Sequence, residues 1–376
     1  MTKINVGYIV SGLAPGGPTT QLLNLLENLD RKDFSPILIT LRKPSDGIKE
    51  YIVRELGLRF ICLRLPPVLA VFMAPLILLY LARKYRITLF HSQGFFGDCL
   101  NSLMLYGRFR LTTVRNFPQN DYYVFASSRW GRVFCWLHIC FLHKIKNAVS
   151  VSNAVKENLA KNFGITAIKV IYNGVDTNRF FAPNLPNKLA LREYYSFPLK
   201  GTVWVYLGHL SSLKNVIFLV KSWMSVAPKD AHLFLIGDGD LMTECRRISN
   251  TRNNVHVMGH VREPNEYLNL ADFYISASNS EGMPNSVIEA LASGLPLLLS
   301  AIPAHVEILS KCTDIGYVFR EDDVNDFAKG VSRLLSISRD EVSAKSRNVA
   351  SEFFDSKRMA KMYSEVYKSL IAEAKD

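Results

Sequence analysis

Cysteine is scarce and dispersed. The six cysteines, at positions 62, 99, 135, 140, 245 and 312, contain no Cys-x-x-Cys pair. That excludes a disulfide scaffold and a cysteine-built zinc site, and points to a reducing compartment. The amino terminus, MTKINVGYIVSGLAPGG, lacks an apolar core followed by a small-residue cleavage site. It predicts a strand and loop rather than a secretory signal. A membrane-spanning run is also missing. The most apolar stretch, Leu65–Ala82, contains Pro66, Pro67 and Pro75, which leave far less than the ~20 apolar residues a spanning helix needs. Short-period repeats and low-complexity tracts are absent, and 48% apolar with 21% charged residues over 376 positions exclude a largely disordered chain and suit two domains.

Acidic residues are scarce in one half only. Residues 1–190 hold 24 Lys+Arg and 10 Asp+Glu, net +14, and the remainder holds 21 and 23, net −2. This asymmetry predicts that the first half faces an anionic surface. Two stretches favour a membrane. Leu65–Ala82 is followed by Arg83, Lys84 and Arg86, and Trp130–Lys146 (WGRVFCWLHICFLHKIK) mixes aromatic and basic residues, as interfacial helices do; packed core helices are the alternative for both. No recognised nucleic-acid-binding module is present, so binding to nucleic acid would rest on charge alone.

Apolar runs alternate with helical patterns. Strands are predicted at 4–10, 36–41, 58–63, 87–90, 111–114, 148–151 and 169–172, then at 202–207, 232–236, 254–258, 272–276 and 296–300. Continuous apolar strands separated by helices imply parallel sheets covered on both faces, an α/β architecture. Asn178–Leu199, with Pro183, Pro186 and Pro198, reads as a linker between the two series. Lys357–Ala372 has apolar residues at 359, 362, 363, 366, 367, 370 and 371, one stripe on a helix. The domains are expected at 1–183 and 184–356, with a final helical segment at 357–376.

Three segments carry chemistry. Ser11–Pro18, directly after the first strand, holds Gly12, Gly16 and Gly17, which permit a sharp turn ahead of a helix whose amides suit an anion. Its spacing is neither that of a dinucleotide fingerprint nor that of a Walker loop. Gly208-His-Leu-Ser-Ser-Leu-Lys-Asn215 follows a strand, where open α/β sheets bind ligands; Lys214 is a point cation for phosphate, and His209 is a hydrogen-bonding group that charges near neutrality. Most informative is Ser280-Glu-Gly-Met-Pro-Asn-Ser-Val-Ile-Glu289-Ala-Leu-Ala-Ser-Gly294, in which seven residues separate Glu281 from Glu289. Asn285 and Ser286 are helix-capping types, so Glu281 is placed in a loop, Glu289 one turn inside a helix, and the amides around Met283–Val287 toward a diphosphate. Buried carboxylates accept hydrogen bonds from sugar and ribose hydroxyls. His91 and the Gly237–Asp240 and Asn173–Asp176 segments have plain readings as an end-of-strand residue and turns.

The set GHLSSLKN, LIGDGDL, VMGHV, ADFYISASNSEGMPNSVIEALASGLP and KVIYNGVDTNRF resembles the retaining GT-B glycosyltransferases of the family 4 type, over most of the chain and most densely across residues 148–300. The resemblance implies two Rossmann-like domains facing across a cleft and a C-terminal helix that crosses back to the first domain. It implies a nucleotide-sugar donor held mainly by the second: Lys214 and His209 beside the diphosphate, Glu281 on the transferred sugar, Glu289 on the ribose, amides from Gly282 through Met283, Pro284, Asn285 and Ser286 to Val287, and Gly208 and Gly259 nearby. Gly16 and Gly17 would approach from the first domain. Lys214 and Glu281 are the expected catalytic pair. The family usually has Arg where this chain has His209, and a His near Arg115; Arg115 and His91 are therefore candidates for an acceptor or phosphate. No cofactor and no metal are expected, since cation and amides stand where a metal acts elsewhere. The expected acceptor is a lipid-linked glycan of surface polysaccharide or lipopolysaccharide synthesis, met by a peripheral enzyme on the cytoplasmic face of an anionic membrane. A non-catalytic subunit of the same fold and a UDP-sugar epimerase are the competing readings.

Overall fold

The computed structural model describes residues 3–45, 47–104, 109–125 and 128–373; positions 374–376 of the expected final segment lie outside the described residues. The chain divides into two compact units, one formed by residues 1–174 with 356–376 and the other by 175–355.

The first unit contains β1 (Ile4–Val10), α1 (Gly17–Asn28), β2 (Phe34–Thr40), α2 (Ile48–Glu50), β3 (Arg59–Cys62), α3 (Pro67–Lys84), β4 (Leu89–Gln93) and α4 (Gly94–Leu103). It continues with β5 (Phe109–Val114), α5 (Pro118–Phe125), α6 (Ser128–Ile145), β6 (Ala148–Ser150), α7 (Asn153–Phe163) and β7 (Ile168–Val170). The strands form one parallel sheet ordered β3-β2-β1-β4-β5-β6-β7. Alternation along β1 sends Val6, Tyr8 and Val10 into one core and Ile9 into the other, as the pleat requires. The first core holds Leu22, Leu25 and Leu26 of α1, and the second holds Ala74, Leu78 and Leu81 of α3.

The second unit contains α8 (Leu185–Tyr194), β8 (Thr202–Leu207), α9 (Val216–Val226), β9 (Ala231–Ile236), α10 (Met242–Ser249), β10 (Val255–Gly259), α11 (Pro264–Leu270) and β11 (Phe273–Ser276). After these come α12 (Asn285–Ala292), β12 (Leu297–Ser300), α13 (Pro303–Leu309), β13 (Gly316–Phe319), α14 (Val324–Leu335) and α15 (Arg339–Phe353). Its sheet is also parallel, ordered β10-β9-β8-β11-β12-β13. Trp204, Leu233 and Phe273 bury against Leu219, Trp223 and Phe327.

The stretch read as a linker holds a helix. Asn184 caps α8 by accepting from Asn187 N at 3.0 Å, and Pro186 sits in the first turn, the one helical position where proline costs nothing. Arg192 and Lys188 of α8 then reach Asp272 at 2.6 and 2.8 Å. Proline and asparagine signal a boundary, but the acidic partner that anchors the helix lies 80 residues on.

The chain returns to the first unit as α16 (Ser356–Ala372), which buries Met359, Ala360, Tyr363, Val366 and Tyr367. The Tyr367 hydroxyl lies 3.0 Å from that of Tyr8 and 2.8 Å from His91 Nδ1. Tyr363 reaches the Thr113 hydroxyl at 2.8 Å. The apolar stripe on the last helix therefore covers the first sheet and adds a chain of buried hydroxyls.

Candidate active site

In the second unit the site is assembled at the carboxyl ends of β8, β9 and β10. Gly208 N donates to Ile236 O at 2.9 Å, Leu210 N to Asp238 O at 2.8 Å and Gly237 N to Gly259 O at 2.8 Å. Gly237 has φ +139°, and a Cβ there would lie 1.9 Å from Gly208 O, so only glycine lets these loops touch backbone to backbone. Gly208 and Gly259, 51 positions apart in the sequence, are thereby brought into one layer with the Gly237–Asp240 turn. His209 is exposed above it, its carbonyl accepting from the Tyr206 hydroxyl at 2.9 Å.

A short helical turn at Ser212–Lys214 aims Lys214 inward. Its Nζ donates to Glu281 Oε1, which also accepts from Ser278 Oγ at 3.0 Å. The two side chains are 23% and 13% exposed. Each partly desolvated charge thus has an opposite partner, without which it would be costly. The ammonium of Lys214 keeps donors for a second anionic partner, and Glu281 retains acceptor capacity for hydroxyls.

α12 begins on Pro284 with no side-chain cap. Asn285 is its first helical residue rather than its cap, and Ser286 Oγ accepts from the Tyr274 hydroxyl at 2.8 Å, which ties the helix start to β11. Ile288 N donates to Pro284 O at 3.4 Å, which closes the first turn of the helix. Gly282, Met283, Pro284 and Val287 are buried beneath this turn. One turn in, burial pushes the Glu289 carboxyl up to about 7, against the positive charge of Arg179.

His305, on α13, joins this cluster without having been singled out from the sequence. It is fully buried, its Nδ1 is 3.0 Å from Ser300 O, and Nε2 has no hydrogen-bond partner among the described residues. Burial pushes it down to about 4, with the Glu281 carboxylate opposing that shift and Lys214 reinforcing it. Its only sequence signal is proximity to Pro303, because the elements that bring it to Glu281 are 24 residues apart.

In the first unit, Gly16 and Gly17 stand at the head of α1. Arg115 donates to Gln93 Oε1 at 3.0 Å and to Asn173 Oδ1 at 3.2 Å. His91 lies elsewhere: it is fully buried, with Nδ1 on Tyr367 and Nε2 2.8 Å from Thr113 Oγ1. Burial, with Arg115 adding to it, pushes His91 down to about 3. Both ring nitrogens are committed inside the fold, and His91 stands in the middle of β4 rather than at a strand end. A cavity of about 300 Å³ opens where β1, β4 and β5 end, lined by Arg115, Gln93, Leu13, Tyr122 and His138 among others. Behind it His138 Nε2 is 2.8 Å from Asp98 Oδ2, and its Nδ1 is 2.9 Å from the Tyr122 hydroxyl.

Residues 15–179 match the model described as Glycosyltransferase Family 4, and residues 201–336 the model described as Glycosyl transferases group 1. With two parallel Rossmann-like sheets bearing these loops, the chain is a GT-B glycosyltransferase. It is 24% identical to the O-antigen biosynthesis glycosyltransferase WclY of Escherichia coli, over 98% of this chain and 99% of that protein. It is 26% identical to the UDP-Gal:alpha-D-GlcNAc-diphosphoundecaprenol alpha-1,3-galactosyltransferase of Escherichia coli, over 54% of each, so that match spans about half of the relative. In fold it is similar to Anabaena HepE, solved in complex with UDP and glucose, with a TM-score of 0.80 at 15% identity over 97% of this chain and 99% of that one.

Proposed function

We propose that this enzyme transfers a glycosyl group from a nucleoside diphosphate sugar to a lipid-linked glycan, with retention of anomeric configuration, in the assembly of a surface polysaccharide or lipopolysaccharide. The observation that carries the reading is the Lys214–Glu281 pair beside the first turn of α12. As the glycosidic bond to the diphosphate breaks, negative charge grows on the leaving oxygen. Preorganised donors aimed at that charge supply a large share of catalysis, and Lys214 and the α12 amides are such donors. Glu281 holds hydroxyls of the transferred sugar and Glu289 those of the ribose. His209 adds charge beside the diphosphate when protonated. No metal takes part in this scheme, so turnover persists in EDTA. The complex of HepE with UDP and glucose and the UDP-Gal-dependent relative support a uridine nucleotide.

The acceptor reading adds an anionic membrane. Among the described residues no helix is long and apolar enough to cross one. α3 nevertheless exposes Leu69, Phe72, Met73, Leu76 and Tyr80, and α6 exposes Trp130, Val133, Phe134 and Trp136, beside the basic residues Arg83, Lys84, Arg129 and Arg132. Both helices pack on α4, and an exposed apolar ridge with flanking cations suits an interface. We place the enzyme peripherally on the cytoplasmic leaflet, with Arg115 as the cation for acceptor phosphate. A thermal-shift screen of nucleotides and nucleotide sugars, led by UDP-sugars, tests the donor site, since a ligand of the folded state raises apparent stability. No shift with any of them overturns the reading; product NMR then reports the anomeric configuration.

A further inference from the structure

At the opposite end of the first sheet, where β1, β2, β3 and β4 begin, a second pocket of about 820 Å³ is lined by Lys3, Arg31, Arg59, Lys84 and Arg86. Among the described residues no carboxylate lines it. Open parallel sheets bind their substrates at the carboxyl ends of the strands, so substrate binding does not account for five cations here. Like charges gathered in one space repel and destabilise the fold unless a counter-charge enters. The pocket falls in the size range of small-molecule sites, with more room than a single phosphate ion needs.

The cations are held by groups that leave their charge uncancelled. Arg59 lies over the Tyr85 ring, its guanidinium carbon 4.4 Å from the centroid, and Lys84 Nζ is 5.4 Å from the same centroid. Arg31, half-buried, donates to Leu26 O at 2.7 Å. Arg86 stands in the left-handed region at φ +50°, and Asn5 Nδ2 donates to the carbonyls of Tyr85 and Arg86 at 3.0 and 3.2 Å, which fixes the turn that carries it. The Asp33 carboxylate, whose backbone carbonyl accepts from Ile4 N at this end of the sheet, is taken by Lys368 at 2.6 Å. Aromatic faces and carbonyls orient a cation without neutralising it, so the positive field stays available to a ligand. Lys84 also ends α3, the helix that exposes Phe72, Leu76 and Tyr80, so the pocket adjoins that apolar ridge.

We propose that this pocket binds an anion bearing phosphate groups, either the headgroup of an anionic lipid beside α3 or a soluble phosphate ester, with the five cations as its partners. The proposal is independent of the donor reading; its lipid source rests on the peripheral placement above. Isothermal titration of pyrophosphate into the whole enzyme, with excess UDP filling the donor site, reads the soluble source. Flotation with phosphatidylcholine vesicles containing phosphatidic acid reads the lipid source. Wild type binds in at least one of the two. Arg59→Gln combined with Arg86→Asn, a residue that tolerates the left-handed turn, weakens that binding at least about tenfold, as the loss of two charge-assisted contacts requires. Lys161→Gln combined with Lys169→Gln removes the same charge from exposed positions outside the pocket and leaves binding close to wild type. UDP binding is unchanged in both double variants, which shows that they are folded. Loss confined to flotation assigns a lipid headgroup, loss confined to the titration assigns a soluble phosphate ester, and loss in both assigns a pocket open to either. Equal weakening in the two double variants, which is the mark of diffuse charge, or no binding of wild type in either measurement overturns the proposal. Failure of UDP to bind wild type strikes the donor reading instead and leaves the comparison of variants intact.

Discussion

In the second unit two charged groups of the site pair with each other, Lys214 with Glu281, while burial pushes the Glu289 carboxyl up to about 7 against the charge of Arg179. In the first unit exposed cations stand at the ends of α3 and α6, among others, and the cavity is lined by Tyr122 and His138, which are joined at 2.9 Å. One sheet plan thus serves two uses. In the proposed reading, fixed opposite charges and amides meet the charge that develops during the reaction, and hydroxyls and diffuse positive charge meet the acceptor and the membrane.

The largest effect expected is on turnover. Lys214→Ala and Glu281→Ala each lower kcat by at least ~10², the loss typical of one transition-state contact. Steady-state assays with the donor found by thermal shift check this, and near-normal turnover in both would erase the distinction between the units. Next comes location. Flotation with anionic vesicles at low salt is expected to carry the wild type, and Phe72→Asp combined with Leu76→Asp, at side chains 74% and 71% exposed, removes most of it while leaving nucleotide binding intact. Equal flotation of the variant removes the membrane role of α3.

A pH test sharpens the charge comparison. The folded-state Glu289 carboxyl is pushed up to about 7, above its unfolded value of ~4.3. The folded state therefore holds the proton more tightly, and this contribution to stability is lost as pH rises from that unfolded value through about 7. Glu289→Gln flattens the loss in thermal melts across that window and weakens nucleotide binding. His305 acts oppositely. Its folded value of about 4 is below the unfolded ~6.5, so stability falls as pH drops from 6.5 toward 4, and His305→Asn reduces that acid sensitivity. The smallest change expected is in His209→Arg: a permanent cation lowers the donor KM several-fold without abolishing turnover, and a large loss of activity would count against a diphosphate beside residue 209.

Legibility followed locality. β8, Lys214, Glu281 and the start of α12 were readable because each is announced by neighbours within a few positions: a continuous apolar run, a glycine loop, a proline before a helix. Cap assignment was less secure, since Asn285 and Ser286 are both capping types while Pro284 takes the position and Tyr274 claims Ser286. α8 was hidden because its prolines outweighed an anchor on Asp272 that no local pattern reveals. His138 and Asp98 lie 40 residues apart on separate helices, and in sequence His138 sits in an aromatic and basic run whose surface character masks its buried face.

Composition and periodicity by themselves determined the two parallel sheets, the sign of each half's charge and the loops that carry Lys214 and Glu281, because those depend on residue types a turn or a strand apart. Tertiary structure alone decided that Lys214 reaches Glu281, that His305 stands behind them, that His91 is sealed under α16 and that His138 joins Asp98 to Tyr122. Those contacts arise where separate strands end side by side, and the distance at which two side chains meet is set by packing of the whole unit, which no short stretch of sequence contains.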